Sequence, residues 1–407
     1  MGDILFLAHR VPFPPNRGDK IRSHHLLKKL ATMGRVHVGS LAESDEDRAG
    51  QRDLEKVAAS HCIVNRGKPL ALAGVEAVIS GKPVSLTAFR SAQLEKWVIE
   101  TLATQPIDTI VIFSGQMGQY VPDSFAGRVI VDLCDVDSAK FENYAMAGER
   151  VWLNSREGRL LAREEERLGS RADATILISE AEAALYRERL SDLSQVSVHA
   201  IGNGIDSELF DPAKVQPHPE LLGAKGPHFV FTGQMNYRPN EQAALWAIKE
   251  FMPALRQVHP EAMFHVVGRA PTDALIAHEG TPGIRIWGEV ADVRPFIAGA
   301  TCVLAPLLIA RGVQNKVLEA MAMARPVLLT PQAATGIAAI DGEHWLVVEA
   351  NAQQMVERFE ILTQADNAER IAKAARQFVL THHAWDAMLS PLESLIAQSE
   401  GSSRDAA

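Results

Sequence analysis

The chain has 407 residues, 47% hydrophobic and 22% charged, with a formal net charge of −9 at pH 7 and only three cysteines. That length suits two domains at about 100–200 residues each, and the composition is that of a globular protein. The acidic balance argues against nucleic acid as a general partner. Cys62, Cys134 and Cys302 are widely spaced and two of them lie in apolar runs, which argues for a reducing compartment and against disulfide or metal clusters. No run approaches the roughly 20 apolar residues of a membrane span. The short apolar run between Asp3 and His9-Arg10 is unlike a signal peptide, so a cytoplasmic location is expected.

In chain order, Ile4–Ala8 reads as a strand and His9–Lys20, with Pro12, Pro14, Pro15 and Gly18, as a loop. Ile21–Met33 reads as a helix closed by Gly34, and Val36–Val38 as the next strand. This βαβ opening has no G-x-G-x-x-G, so the dinucleotide fingerprint is absent. Lys20, Arg22, His24, His25, Lys28 and Lys29 fall on or beside the helix with no acid inside it, an expected basic patch for anionic headgroups. Residues 51–66 carry no clear pattern. Leu94–Thr104 is helical in pattern; Thr109–Phe113 and Val129–Leu133 are buried-type strands. They end in Ser114-Gly115-Gln116 and Asp135-Val136-Asp137-Ser138, at the carboxyl ends where open α/β sheets collect ligands. Trp152–Gly169 is a charged helix, and Ala174–Ile178 a strand. Ser179 with Glu182 makes a capping-box pattern, and Val196–Val198 is another strand. At Asn203-Gly204, both residues tolerate positive φ and suit a turn. The polar, Pro-rich stretch 212–227 suggests a boundary.

The second half restarts the alternation with strands at Phe229–Gly233, Phe264–Gly268 and Ile284–Gly288. Thr301–Ala305 is a short apolar strand, Leu307–Gln314 a loop, Asn315–Met323 a helix rich in Ala, Leu and Met, and Val327–Leu329 a strand after Pro326. This is a complete crossover. At 3.6 residues per turn Gly312, Asn315, Lys316 and Glu319 share one polar side of the helix start, while Val317, Leu318 and Met321 point to the core. Helix-start amides with Lys316 suit a phosphate, and Glu319 suits vicinal hydroxyls; a sugar nucleotide offers both. An ordinary crossover with a solvated Lys–Glu pair fits the stretch about as well. Trp345–Val348 is the last strand, helices follow at 352–364 and 367–380, and 385–396 reads as a terminal helix.

Lys316-Val317-Leu318-Glu319-Ala320-Met321-Ala322, followed by Arg325-Pro326-Val327, resembles the K-x-L-E-A-M-A-x-G-x-P-V signature of family 4 glycosyltransferases, whose fold is GT-B. Ile201–Asp206 with Phe210-Asp211-Pro212 resembles the family's N-G-V-D hinge segment, and Pro12–Lys20 its N-terminal loop, with Gly18 where the backbone nears the donor. Gly18–Ser23, Asp132–Ser138 and Lys316–Ala322 together look most like the exopolysaccharide glycosyltransferases of exosortase/PEP-CTERM systems. The chain departs from the family in three places. Arg311 stands where the first Glu of the family's E-x7-E pair is usual. Gln234 and Pro239-Asn240 replace the diphosphate-clamping Arg and Lys. The His that the family often places near the cleft has no match after strand 109–113. Asp135-Val136-Asp137 matches the metal-holding D-x-D of the other large transferase fold, GT-A, but a second nucleotide-type domain makes that assignment unnecessary.

The resemblance implies an α/β, GT-B fold of two Rossmann-like, doubly wound domains facing across a cleft. The expected divisions are an acceptor-side domain over 1–200, a nucleotide-sugar domain over 201–380, a helix over 381–398 that crosses back, and a disordered tail over 399–407. It implies a retaining transferase that moves a sugar from a nucleotide sugar, UDP-sugar ahead of GDP-sugar, to a glycan or lipid-linked acceptor, with no metal and no cofactor. Lys316 and Glu319 are the expected catalytic pair. Gly18, Gly233, Gln234, Arg238, Arg311, Gly312, Val313, Gln314 and Asn315 join them around the donor, and Asp19, Lys20, Asp135 and Asp137 line the acceptor side. Peripheral contact with an anionic inner membrane is expected through the basic helix. The rivals are a silent GT-B partner of an active transferase and a nucleotide-sugar epimerase.

Overall fold

All six positions of Asp3–Ala8 (β1) are buried, which requires cover on both faces of the strand. Residues 2–223, 225–310, 312–364 and 366–397 are described by the structure, a computed structural model. Arg311 and the expected tail lie outside them. The chain divides into two units: one holds the described residues up to Asn203 and those from Met388 on, the other Gly204–Ala387.

In the first unit β1 is joined by Val36–Ala42 (β2), Ser60–Asn65 (β3), Ile107–Phe113 (β4), Arg128–Cys134 (β5), Ala174–Leu177 (β6) and Val198–Ala200 (β7). The order is β3-β2-β1-β4-β5-β6-β7, all parallel. The chain winds outward from β1 through β2 and β3, then returns to β4 on the other side. The connections therefore leave the carboxyl ends of β1 and β4 in opposite directions and open a crevice there. In the second unit His228–Thr232 (β8), Met263–Val267 (β9), Ile284–Gly288 (β10), Cys302–Ala305 (β11), Val327–Leu329 (β12) and Leu346–Val347 (β13) form a parallel sheet in the order β10-β9-β8-β11-β12-β13. Its reversal lies between β8 and β11. Each unit is thus an α/β, doubly wound domain.

The expected crossover around residues 301–330 is present: β11, a helix over Asn315–Ala322, then β12, with Val317, Leu318 and Met321 fully buried. Several local expectations are corrected. β7 starts two residues late, because Val198 is the residue in register with Thr175 of β6. The patternless 51–66 stretch yields a short helix, Gln51–Leu54, and the edge strand β3. Ser179 accepts from the Glu182 amide, but the Glu182 carboxylate is drawn off to the Val136 amide at 2.8 Å, so the capping box is only half made. Neither Asn203 nor Gly204 takes positive φ. Gly204 is needed instead for close approach, since a Cβ there would lie 2.5 Å from the Trp385 backbone. The terminal helix is two pieces, Trp385–Met388 and Pro391–Ala397, because Pro391 disfavours helix at the residue before it.

The basic patch is also corrected. The helix Gly18–Met33 turns Lys20 and Arg22 inward, 2% and 1% exposed. Lys20 pairs with Asp47 at 2.7 Å. Arg22 pairs with Asp132 at 2.8 Å and also donates to Ile201 O, Gly202 O and Asn203 Oδ1. Lys29 is bound to Glu393. Residues 21–33 hold no acid, yet the structure adds Asp19 to the helix's first turn, and Asp47, Asp132 and Glu393 come from elsewhere to pair with Lys20, Arg22 and Lys29, leaving Lys28 exposed.

Candidate functional site

In the second unit the site grows from the ends of β8 and β9. Gly233 has φ +154 and Gly268 φ +149, and a Cβ on Gly268 would fall 1.7 Å from Gly233 O. Only glycine lets these two strand ends close together. A Cβ on Gly233 would lie 2.8 Å from Asn240 Nδ2 and 3.1 Å from Lys316 Nζ, so the space above it is already shaped by those groups.

Lys316, the second residue of the Asn315–Ala322 helix, folds back over this point. Its ammonium donates to Asn240 Oδ1 at 2.6 Å and stands 4.2 Å from the centre of the Phe231 ring. Asn240 Nδ2 in turn donates to Gln234 O at 3.0 Å. Burial pushes the Lys316 pKa from 10.5 down to about 8, against the pull of Glu319. One turn on, burial pushes Glu319 from 4.5 up to about 7, against the pull of Lys316. Among the described residues, no side chain or amide donates to the Glu319 carboxylate. The Glu319 charge is therefore left without a donor by the protein itself, and the Lys316 charge is at best just balanced, a state that a ligand with phosphate and hydroxyl groups would relieve.

The remaining expected donor residues surround this pair to different degrees. Gly312 (φ +65) and Val313 are exposed in the loop before the helix, Gln314 caps its start and donates to Gly312 O at 3.1 Å, and Asn315 is exposed at its first position. The amides of Asn315 and Lys316 precede the first intrahelical bond and are aligned with the helix dipole. Arg238 is exposed at the start of the Arg238–Trp246 helix. Gln234 is exposed and accepts from Arg269 Nη2 at 2.7 Å. Arg269 was missed. Its signal was present, a cation directly after the glycine that follows β9. Phe231 and Asn240, which seat Lys316, had no local signal, since their contacts span dozens of residues.

In the first unit the crevice between the ends of β1 and β4 holds His9, also missed. His9 stacks on Phe113 with ring centres 5.5 Å apart, its Nε2 lies 3.2 Å from Asp19 Oδ2, and its Nδ1 is buried without a partner among the described residues. Ser114 (φ +75), directly after β4, and Cys134 (φ +64), the last residue of β5, take left-handed conformations unusual for side-chain-bearing residues. Asp135 is exposed and Asp137 half-buried, and both border a narrow hollow with Gln116 and Glu165. Burial raises both carboxyls, with Glu182 and Asp137 adding to Asp135. Gly18 is exposed at a helix start, and no atom lies within 4 Å of its would-be Cβ. Two acceptor-side expectations change. Burial pushes the Asp19 carboxyl up, but His9 and Arg10 outweigh it and hold Asp19 well below the usual carboxylate range; with Arg17 also at 2.9 Å, its charge is spent internally. Lys20 is buried against Asp47 and has no free face. No cluster of three or more His, Cys, Asp or Glu residues among the described ones has the placement to hold a metal.

Residues 226–365 match the family model described as glycosyl transferases group 1. The second unit carries a group 1 glycosyltransferase domain. With it the chain is a transferase, and the fold is GT-B. HepE from Anabaena, solved with UDP and glucose, shares 15% identity at a TM-score of 0.60, over 98% of this chain and 100% of that one. The sucrose-phosphate synthase from Thermosynechococcus elongatus shares 17% at 0.58, over 98% and 99%. A glycosyltransferase from Rickettsia africae shares 15% at 0.60, over 98% and 99%. At such identities the likeness establishes the fold alone. No curated protein matches the sequence.

Proposed function

We propose that this chain, a transferase with a group 1 glycosyltransferase domain in its second unit, is a retaining enzyme that transfers a sugar from a nucleotide diphosphate sugar to a glycan or lipid-linked acceptor in cell-surface polysaccharide synthesis. The observation that carries the donor part is the Lys316–Glu319 pair, both shifted toward neutrality beside the glycine-lined ends of β8 and β9. Glu319 accepts the two ribose hydroxyls. Lys316 and the amides of Asn315 and Lys316 receive the diphosphate. As the bond to the sugar breaks, charge grows on the leaving diphosphate, and a positioned ammonium is worth most at that moment. Arg269 and Arg238 supply further positive charge where Gln234 and Asn240 stand. UDP is the favoured nucleotide, in keeping with the UDP and UDP-glucose complexes of HepE. The acceptor sits on the first unit, near His9, Asp135 and Asp137. Peripheral contact with an anionic membrane belongs to the same reading, because a lipid-linked acceptor is presented at a bilayer; no helix of the described residues is long and apolar enough to cross one.

The test is calorimetric titration with UDP and GDP, followed by nucleotide release from UDP-sugars with and without added acceptors and with excess EDTA. UDP binding and EDTA-resistant release are expected, and NMR of the product should show the donor's anomeric configuration kept. Binding of UDP without any turnover would favour a silent partner subunit, and release restored only by manganese or magnesium would return Asp135 and Asp137 to a metal-holding role.

A further inference from the structure

The helix Leu70–Ser80 is built inside out. Its small residues Ala73 and Ala77 are fully buried, while Leu70, Leu72, Val75, Val78 and Ile79 are 58–81% exposed. A surface helix ordinarily buries its large apolar side chains. A second apolar group stands nearby at the turn between the helices Asp137–Met146 and Val151–Arg171: Met146 and Trp152 are 81% and 73% exposed, and Val151 is exposed too. The two groups adjoin. Arg156, one turn from Trp152 on the same helix face, donates to Ala77 O at 2.7 Å and to Lys82 O at 3.2 Å. Glu157 accepts from the Val84 and Ser85 amides at 2.8 Å. These contacts hold the start of the long helix against the end of the inside-out one.

Charge surrounds the apolar surface with one sign in excess. Trp152, Arg156, Arg159 and Arg163 follow one another at spacings of four, three and four, a single stripe along the helix. Lys82 and Arg163 line one hollow, together with Arg167, Glu164 and Asp123. Lys82, Arg150, Arg159 and Arg163 are exposed and in no ion pair among the described residues. Of the acids, Glu76 is held by Lys68 and Arg90, Glu142 by Arg189, Glu164 by Arg167 and Glu157 by amides; Glu149 and Asp123 are exposed and in no ion pair among the described residues, two acids against the four unpaired cations. A protein of net charge −9 thus presents, around its largest exposed apolar residues, a local excess of cations.

We infer that this face of the first unit, the Leu70–Ser80 helix and the turn bearing Met146, Val151 and Trp152, docks on an anionic lipid surface. Leu72, Val75, Val78, Ile79 and Trp152 enter the boundary between headgroups and acyl chains, and Lys82, Arg150, Arg159 and Arg163 meet the phosphates. A second copy of the chain is the less suitable occupant, because its matching cationic rim would repel. The inference deepens the membrane part of the proposed function and needs nothing from the nucleotide site.

The experiment is sedimentation of the full chain with vesicles of phosphatidylcholine alone or with added phosphatidylglycerol, read also by tryptophan emission. Binding is expected only with phosphatidylglycerol, weakening with salt, and emission should move to the blue. Leu72→Glu with Ile79→Glu, and separately Arg159→Glu with Arg163→Glu, should each lower vesicle binding by about tenfold or more. Trp152→Phe should still bind but lose the blue shift, since Trp152 is the most exposed of the tryptophans. UDP affinity should be the same in all these variants, which separates failure of this surface from failure of the nucleotide reading. Unaltered vesicle binding in both double variants would overturn the inference. So would self-association of the wild type that the Leu72→Glu, Ile79→Glu variant abolishes.

Discussion

Replacing Lys316 by Met should cost the fold little and the nucleotide site much. A lysine whose pKa falls from 10.5 to about 8 carries its proton at a cost of roughly 3 kcal/mol, at about 1.4 kcal/mol for each tenfold in proton affinity. Two contacts oppose that cost: the charge-assisted bond to Asn240 Oδ1, worth about 1.5–3 kcal/mol, and the face of Phe231, worth about 0.5–2 kcal/mol. The sum lies near zero. Met keeps the stem and a favourable sulfur–ring contact, so the unfolding free energy should move by no more than about 1–2 kcal/mol. With a diphosphate bound the balance differs, because the ammonium then meets full negative charge. Losing that contact should weaken UDP by roughly 10–100-fold, leave uridine unchanged, and lower turnover further. Urea denaturation and calorimetry with UDP and uridine make the comparison. If Lys316→Met loses about 3 kcal/mol or more of stability and keeps its UDP affinity, Lys316 is a strut for Asn240 and Gln234, and the diphosphate is bound elsewhere.

Nucleoside affinity should fall as pH drops through about 7, where Glu319 gains its proton, and Glu319→Gln should flatten that limb; a pH series of uridine titrations tests it. The same carboxyl has a folded pKa above its ordinary 4.5, so its share of stability is present below about 4.5 and lost as pH rises to about 7. Glu319→Gln should therefore stabilise the empty protein at pH 8 but not at pH 4.5. Arg22→Met leaves the buried Asp132 carboxylate without its partner and should cost about 3–5 kcal/mol in urea denaturation, with part regained by adding Asp132→Leu. Burial, then the charges of His228 and Arg285, pushes His265 from 6.5 down to about 3. The unfolded chain then binds a proton that the folded one refuses, so stability should decline progressively from pH 6.5 toward pH 3. A His265→Gln variant should lose that part of the slope.

What the sequence determined about this protein was its local periodicity. Apolar runs placed nearly every strand, because a parallel strand covered on both faces needs an unbroken run of such residues. The spacing of Gly312, Asn315, Lys316 and Glu319 put a polar side on one helix start, because helical geometry is fixed by 3.6 residues per turn. The Ser179–Glu182 pattern was equally local, yet only half of it formed, since the Val136 amide competes for the same carboxylate. Tertiary structure decided the rest. Whether a charge is free depends on what the fold brings to it. Arg22 meets Asp132 across 110 positions and Lys316 meets Asn240 across 76, and no short window contains either pair. His9 and Arg269 follow strands in the sequence, but only the strand order puts His9 at the reversal of the sheet and Arg269 on Gln234. The helix Leu70–Ser80 is the clearest case. Its apolar residues run almost all round it, so periodicity cannot choose a face. The packing of Ala73 and Ala77 inward chose it, and left the large side chains outside.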